Sequence, residues 1–110
     1  MAMNIHVDKQ EQACRIELCG DLTIYTALET RDRLLTTIAT CQGSDIELDL
    51  AGVTDMDTAG QQILIAARIA AVARRNVLRL VRHSPAVLGV MDMYGLGRFF
   101  GDPVVLQQPE

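Results

Sequence analysis

The densest run of chemically capable side chains in this 110-residue sequence is Asp49-Leu50-Ala51-Gly52-Val53-Thr54-Asp55-Met56-Asp57-Thr58-Ala59-Gly60. It puts carboxylates, hydroxyls and a glycine where a strand gives way to a helix. The first turn of a helix exposes unpaired N–H groups and a partial positive charge, so an anion or a hydrogen-bonding partner can dock there. Gly60 lets a second backbone approach closely. The same residues also read as a helix start and no more: Thr58-Ala59-Gly60-Gln61 fits a capping box, with Thr58 at the N-cap and Gln61 three residues on. For an enzyme, Asp55 and Asp57 are the candidate acids, but nothing beside them names a substrate.

Other chemistries fail on spacing. There is no GxxxxGK[ST] loop, and the single lysine, Lys9, falls in a turn, which argues against a nucleoside triphosphate site. Asp55-x-Asp57-x-Ala59-Gly60 imitates the opening of a calcium loop. Ala59 offers no oxygen, however, and Ala66 stands where a bidentate Glu is required. His6 and His83 lie on or beside different strands without metal-ligand spacing, so no metal or other cofactor is expected. Cys14, Cys19 and Cys41 form no CxxC pair and are odd in number, so they read as reduced thiols in a cytoplasmic chain. Cys14 has a core position and Cys41 a helix-end position.

Hydrophobic residues make up 49% of the sequence and charged ones 22%, which predicts a folded chain, and 110 residues suit a single domain spanning 1–110. The net charge of −4 argues against a dedicated nucleic-acid binder. No apolar run reaches the roughly 18–20 residues of a membrane helix, and the first residues lack the pattern of a secretion signal, so no membrane insertion is expected. Residues 1–57 carry eleven acids against four bases, whereas 58–110 carry six arginines against three acids. Arg74 and Arg75 fit a helix C-terminus, where they oppose its negative pole.

These residues need elements to hold them. Ile5 and Val7, then Cys14, Ile16 and Leu18, alternate with polar residues, predicting two strands joined by the turn Asp8–Gln12 and ended by Gly20-Asp21. From Tyr25 to about Thr40, apolar positions recur at three and four (Leu28, the Arg31 stem, Leu34, Leu35, Ile38), and Glu29 with Arg33 forms a favourable i,i+4 pair. Ile46–Leu50 alternates as a third strand, 51–57 reads as a loop, and a helix follows from about Thr58 to Arg75. Between Ile63 and Ala73 only Arg68 is not apolar, so this helix should be covered on more than one side. Val77–Val81 is a strand. Ser84-Pro85 supplies a cap and a first helical residue, Gly95 and Gly97 end that helix, and Val104–Leu106 fits a last edge strand. The fold class is therefore α/β: a small mixed sheet, opening with an antiparallel hairpin and continuing in parallel βαβ units, with helices packed on it.

Asp57-Thr58-Ala59-Gly60 behind the third strand, Gly20-Asp21-Leu22-Thr23-Ile24-Tyr25-Thr26-Ala27 ahead of the first helix, and Ser84-Pro85-Ala86-Val87-Leu88 followed by Met93-Tyr94-Gly95-Leu96 together resemble a STAS domain, the fold of bacterial anti-sigma factor antagonists. The likeness runs in order through essentially the whole chain. It implies a non-enzymatic module of partner-switching signal transduction that docks an anti-sigma factor or histidine-kinase-like protein. The partner-binding residues it implies are Thr23, Ile24, Tyr25, Asp57, Thr58, Gly60, Gln61 and Gln62. In the regulated branch, a kinase partner phosphorylates a Ser or Thr between the aspartate and the glycine, and the added charge of about −1.5 to −2 releases the antagonist. Where many antagonists have that hydroxyl directly before the glycine, this chain has Ala59, leaving Thr58 as the candidate phosphoacceptor. Either Thr58 takes the phosphate, or binding is constitutive or otherwise controlled, and the second is preferred. The Asp-Thr-Ala-Gly form with Leu22–Tyr25 also resembles two neighbouring groups: small STAS proteins of chemotaxis-type signalling, and the STAS subunit of lipid-transporting ABC systems, which contacts the ATPase subunit. Self-association into a homodimer is a further expectation, raised by the aliphatic helix 58–75 and by Met91, Met93, Phe99 and Phe100.

Overall fold

The computed structural model describes the backbone of residues 3–41 and 43–94, and the side chains up to Asp92. The alternating N-terminal segments form β1 (Asn4–Lys9) and β2 (Ala13–Leu22). Helix α1 (Ala27–Ala39) follows, then β3 (Asp45–Met56), α2 (Thr58–Ala73), β4 (Leu78–Val81) and α3 (Pro85–Tyr94). The strands lie in the order β1-β2-β3-β4. β1 runs antiparallel to β2, and β2–β3 and β3–β4 are parallel. This is the mixed sheet that the alternation predicts. The predicted edge strand Val104–Leu106, the predicted helix-ending Gly95 and Gly97, and Phe99 and Phe100 lie outside the described residues, as does the side chain of Met93.

Alternation decides which face is covered. Cys14, Ile16 and Leu18 on β2 pair with Ile46, Leu48 and their neighbours on β3, and Leu78 and Leu80 extend this apolar face onto β4. Leu34 and Ile38 of α1 and Ile63, Leu64, Ala67 and Ala71 of α2 complete the core. The opposite register positions carry charge. Asp49 is only 3% exposed there. Its Oδ2 accepts Arg15 at 2.6 Å and Arg82 at 3.5 Å, and its Oδ1 accepts the Ala51 N–H at 2.9 Å. A buried carboxylate requires such partners.

Three local expectations need correction. β2 does not stop at Gly20-Asp21. It runs to Leu22 through shifts of register near Glu17–Cys19 and Gly20–Asp21, which Gly20 accommodates at φ 123°. Residues 51–56 are not a loop, because they remain paired with β2 as the second half of β3. Leu28 is not on the buried face of α1, which is formed by Thr30, Leu34 and Ile38. α2 is covered on more than one side, as expected, since it meets α1, α3 and the sheet, while Ile69 and Val72 stay exposed.

The cysteines also depart from the reading as free thiols. Cys14 and Cys41 are joined in a disulfide, and Cys19 is the free, exposed one. Parity and CxxC spacing miss this bond because it is non-local: it joins the start of β2 to the chain just past α1.

Candidate functional site

The turn between β2 and α1 is set by one hydroxyl. Thr26 Oγ1 donates to the Asp21 carbonyl at 2.7 Å and accepts from the Thr23 N–H at 3.2 Å, while the Thr26 N–H donates to the Thr23 carbonyl. With its polar groups satisfied internally, the turn can hold large apolar side chains outward. Ile24 is 68% exposed and Tyr25 94%.

Asp57 fixes this turn against α2. It is the N-cap in an extended conformation, and its Oδ1 accepts the N–H groups of Ala59 (2.9 Å) and Gly60 (3.1 Å). Its Oδ2 accepts the Ile24 N–H at 3.0 Å, from a residue 33 positions earlier. One carboxylate therefore caps a helix and clasps a separate loop. Burial works against its charge, but the N–H donors of Ile24, Gly60 and Ala59 prevail, and they hold the carboxyl below its ordinary value. The expected capping box is not formed: Asp57 takes the cap, and Thr58 becomes the first helical residue with its side chain exposed.

Gly60 allows the contact between α2 and β2. A Cβ at this position would collide with the Leu22 carbonyl and side chain. The close approach brings the start of α2 beside α1 and leaves an open apolar groove of about 580 Å³ between them. Ile24, Ala27, Leu28 and Arg31 form one wall, and Ala59, Gln62, Ile63 and Ala66 form the other. Tyr25, next to Ile24 in the chain, stands exposed.

The eight residues singled out from sequence thus gather at one end of the molecule, with different exposures. Ile24, Tyr25, Thr58 and Gln62 are exposed, and Asp57 is partly so. Thr23, Gly60 and Gln61 are buried, which fits them to shape the surface more than to touch a visitor. Sequence reasoning missed Leu28, 74% exposed in the groove wall, and Thr26, which organises the turn. For Leu28 a signal was present, since it sits off the i,i+4 line of Thr30, Leu34 and Ile38.

Among the described residues, no three His, Cys, Asp or Glu side chains come together as a metal site, and no helix is long and apolar enough to cross a membrane.

Comparison with known proteins gives a consistent picture. A family model described as "Mlab, STAS domain" matches residues 5–107. The anti-sigma-B factor antagonist of Bacillus subtilis (strain 168) is 24% identical over 96 residues, covering 87% of this chain and 86% of the relative. An anti-sigma factor antagonist from Mycobacterium paratuberculosis superposes with a TM-score of 0.76 at 18% identity, covering 93% of this chain and 84% of that one. The Bacillus protein SpoIIAA in its unphosphorylated form gives a TM-score of 0.71 at 19% identity, with coverages of 96% and 89%.

Proposed function

This chain belongs to the STAS domain family, and from that premise we propose that it is a non-enzymatic docking module that binds an ATP-binding protein of the anti-sigma or histidine-kinase-like kind. The relatives support a partner-switching role of the STAS type. The docking face we assign is the β3–α2 junction together with the β2–α1 turn. Tyr25, Leu28 and Ile24 supply apolar contact, Thr58 a hydroxyl, and Asp57 the fixed geometry.

One observation carries this reading: the Asp57 carboxylate spends one oxygen on the Ile24 N–H. A cap alone needs only the bonds to Ala59 and Gly60. The added clasp holds a turn whose two large side chains are exposed, an exposure that folding does not require and that suits a preformed contact surface. Aromatic and aliphatic anchors beside a groove are also what a protein interface uses at its centre.

Thr58 is exposed at the first position of α2 and adjoins Asp57. A phosphate there would gain from the helix N-terminus and lose to the neighbouring carboxylate. Ala59, in the position before Gly60, has no hydroxyl to offer. We therefore favour docking that does not depend on phosphate.

That same alanine, with the name carried by the matching family model, supports a second reading: the STAS subunit of a lipid-transporting ABC system, docking its ATPase through the same face. Both readings place the chain in the cytoplasm.

Isolation of the protein from its own cells, followed by mass spectrometry, tests the function. An anti-sigma or kinase-like partner is the expected result, and a transport ATPase selects the second reading. Loss of neither partner on Thr58→Glu or Leu28→Asp would remove the site assignment.

A further inference from the structure

The Cys14–Cys41 bond has no part in the docking face, and its position gives it a separate role. Cys14 is the second residue of β2, and Cys41 lies just beyond the α1 C-cap, 27 positions away. Their Cα atoms are 6.0 Å apart, within the ordinary span of a disulfide. α1 otherwise packs chiefly on α2 and on the edge strand β1. The bond is therefore its covalent tie to β2, in the interior of the sheet.

We propose that Cys14 and Cys41 are a thiol–disulfide couple that sets how long the folded chain survives, while leaving the groove end of α1 in place. Three features support this. A cross-link across 27 residues removes considerable freedom from the unfolded chain. Both sulfurs are buried, so an attacking thiolate must wait for the last turn of α1 to open. The groove residues sit at the other end of the helix: Leu28 precedes Cys41 by about 20 Å of helical rise. Between them, Thr30, Leu34 and Ile38 are buried and hold α1 to the core without the bond.

The chemistry needs a thiol reductant, of the monothiol or dithiol class. Its thiolate attacks one sulfur, forming a mixed disulfide and expelling the other cysteine as thiolate. A second reductant thiolate releases the first as its own disulfide. Two electrons pass to the protein, and each cysteine takes a proton. Cys19 is unsuited to assist, because it is exposed and five residues along β2, which turns it to the face opposite Cys14.

The full-length protein is treated with oxidised glutathione, freed of it, and compared with a sample reduced by dithiothreitol and freed of it without air. In denaturant the first sample should titrate no more than one thiol, that of Cys19, and the second three. Reduction should raise the unfolded population, read as thermolysin cleavage, by roughly a hundred- to a thousandfold. Amide exchange should quicken more at residues 36–41, where local opening adds to global unfolding, than at 24–31. The double variant Cys14→Ser, Cys41→Ser should cleave like the reduced protein and ignore reductant. If that variant does not fold, the wild-type comparison stands alone. Three titratable thiols after glutathione treatment, a cleavage rate indifferent to dithiothreitol, or equal quickening at 24–31 would each overturn the proposal.

Discussion

Asp57→Ala removes both arms of the clasp at once. Oδ1 holds Ala59 N and Gly60 N at 2.9 and 3.1 Å, and loss of such an N-cap costs about 0.5–2 kcal/mol. Oδ2 holds Ile24 N at 3.0 Å in an exposed position. Water can replace it there, so that bond contributes about 0.5–1.5 kcal/mol. The sum, centred near 2 kcal/mol, lowers a urea midpoint by about 1 M for a domain of this size. Asp57→Asn separates the arms. Its remaining oxygen can keep the cap, but its NH2 then faces the Ile24 N–H, donor against donor. Asn should therefore cost about half as much as Ala.

Amide exchange reads each arm directly. Ile24 should exchange faster in both variants, and Ala59 and Gly60 only in Asp57→Ala. The pH dependence has a fixed sign. The folded-state carboxyl lies below its ordinary value of 3.8, so its contribution is complete above that value and is lost as pH falls through the folded pKa. The stability gap between wild type and Asp57→Asn should be flat near neutrality and narrow below about pH 4. An unchanged Ile24 exchange rate in Asp57→Ala would refute the clasp.

Two glycines should respond with opposite sign. Gly60→Ala drives a Cβ into the Leu22 carbonyl, and forcing α2 off β2 should cost about 2–3 kcal/mol or more in a urea melt. Gly89, within α3, has open space around its Cβ position, so Gly89→Ala should stabilise the chain by about 0.5–1 kcal/mol. Asp49→Ala leaves Arg15 and Arg82 facing each other without their shared carboxylate. A loss of about 1–3 kcal/mol is expected by the same melt, moderated because both arginines reach solvent.

Much of this architecture is legible in the residues. Alternation at Ile5–Val7, Cys14–Leu18 and Ile46–Leu50 marks the strands, and Ser84-Pro85 opens α3 as its cap chemistry requires, with Val87 N donating to Ser84 Oγ at 3.3 Å. What escapes depends on contacts between distant segments. The second half of β3 carries polar and small residues that read as loop. It is held extended by pairing with β2 across a bulge. Asp57 is invisible as a clasp because its third donor, Ile24 N, comes from the other side of the sheet sequence. The disulfide has the same character, since no local pattern joins residue 14 to residue 41. A loose three-and-four count assigns Leu28 to the core, although the tighter line through Thr30, Leu34 and Ile38 excludes it. The proposed docking surface is legible only through the family resemblance, because its exposed apolar side chains break the amphipathic pattern that sequence reading relies on.

The proposed docking face is tested most directly by a photo-crosslinking residue placed at Leu28, with a second at Arg79, which is exposed on β4 at a register position opposite the apolar face. Both proteins are expressed in the native cells, irradiated, and analysed by mass spectrometry. A covalent adduct is expected from position 28 to an ATP-binding protein, and none to that protein from position 79. An adduct formed equally from both positions, or from 79 alone, contradicts the proposed docking face.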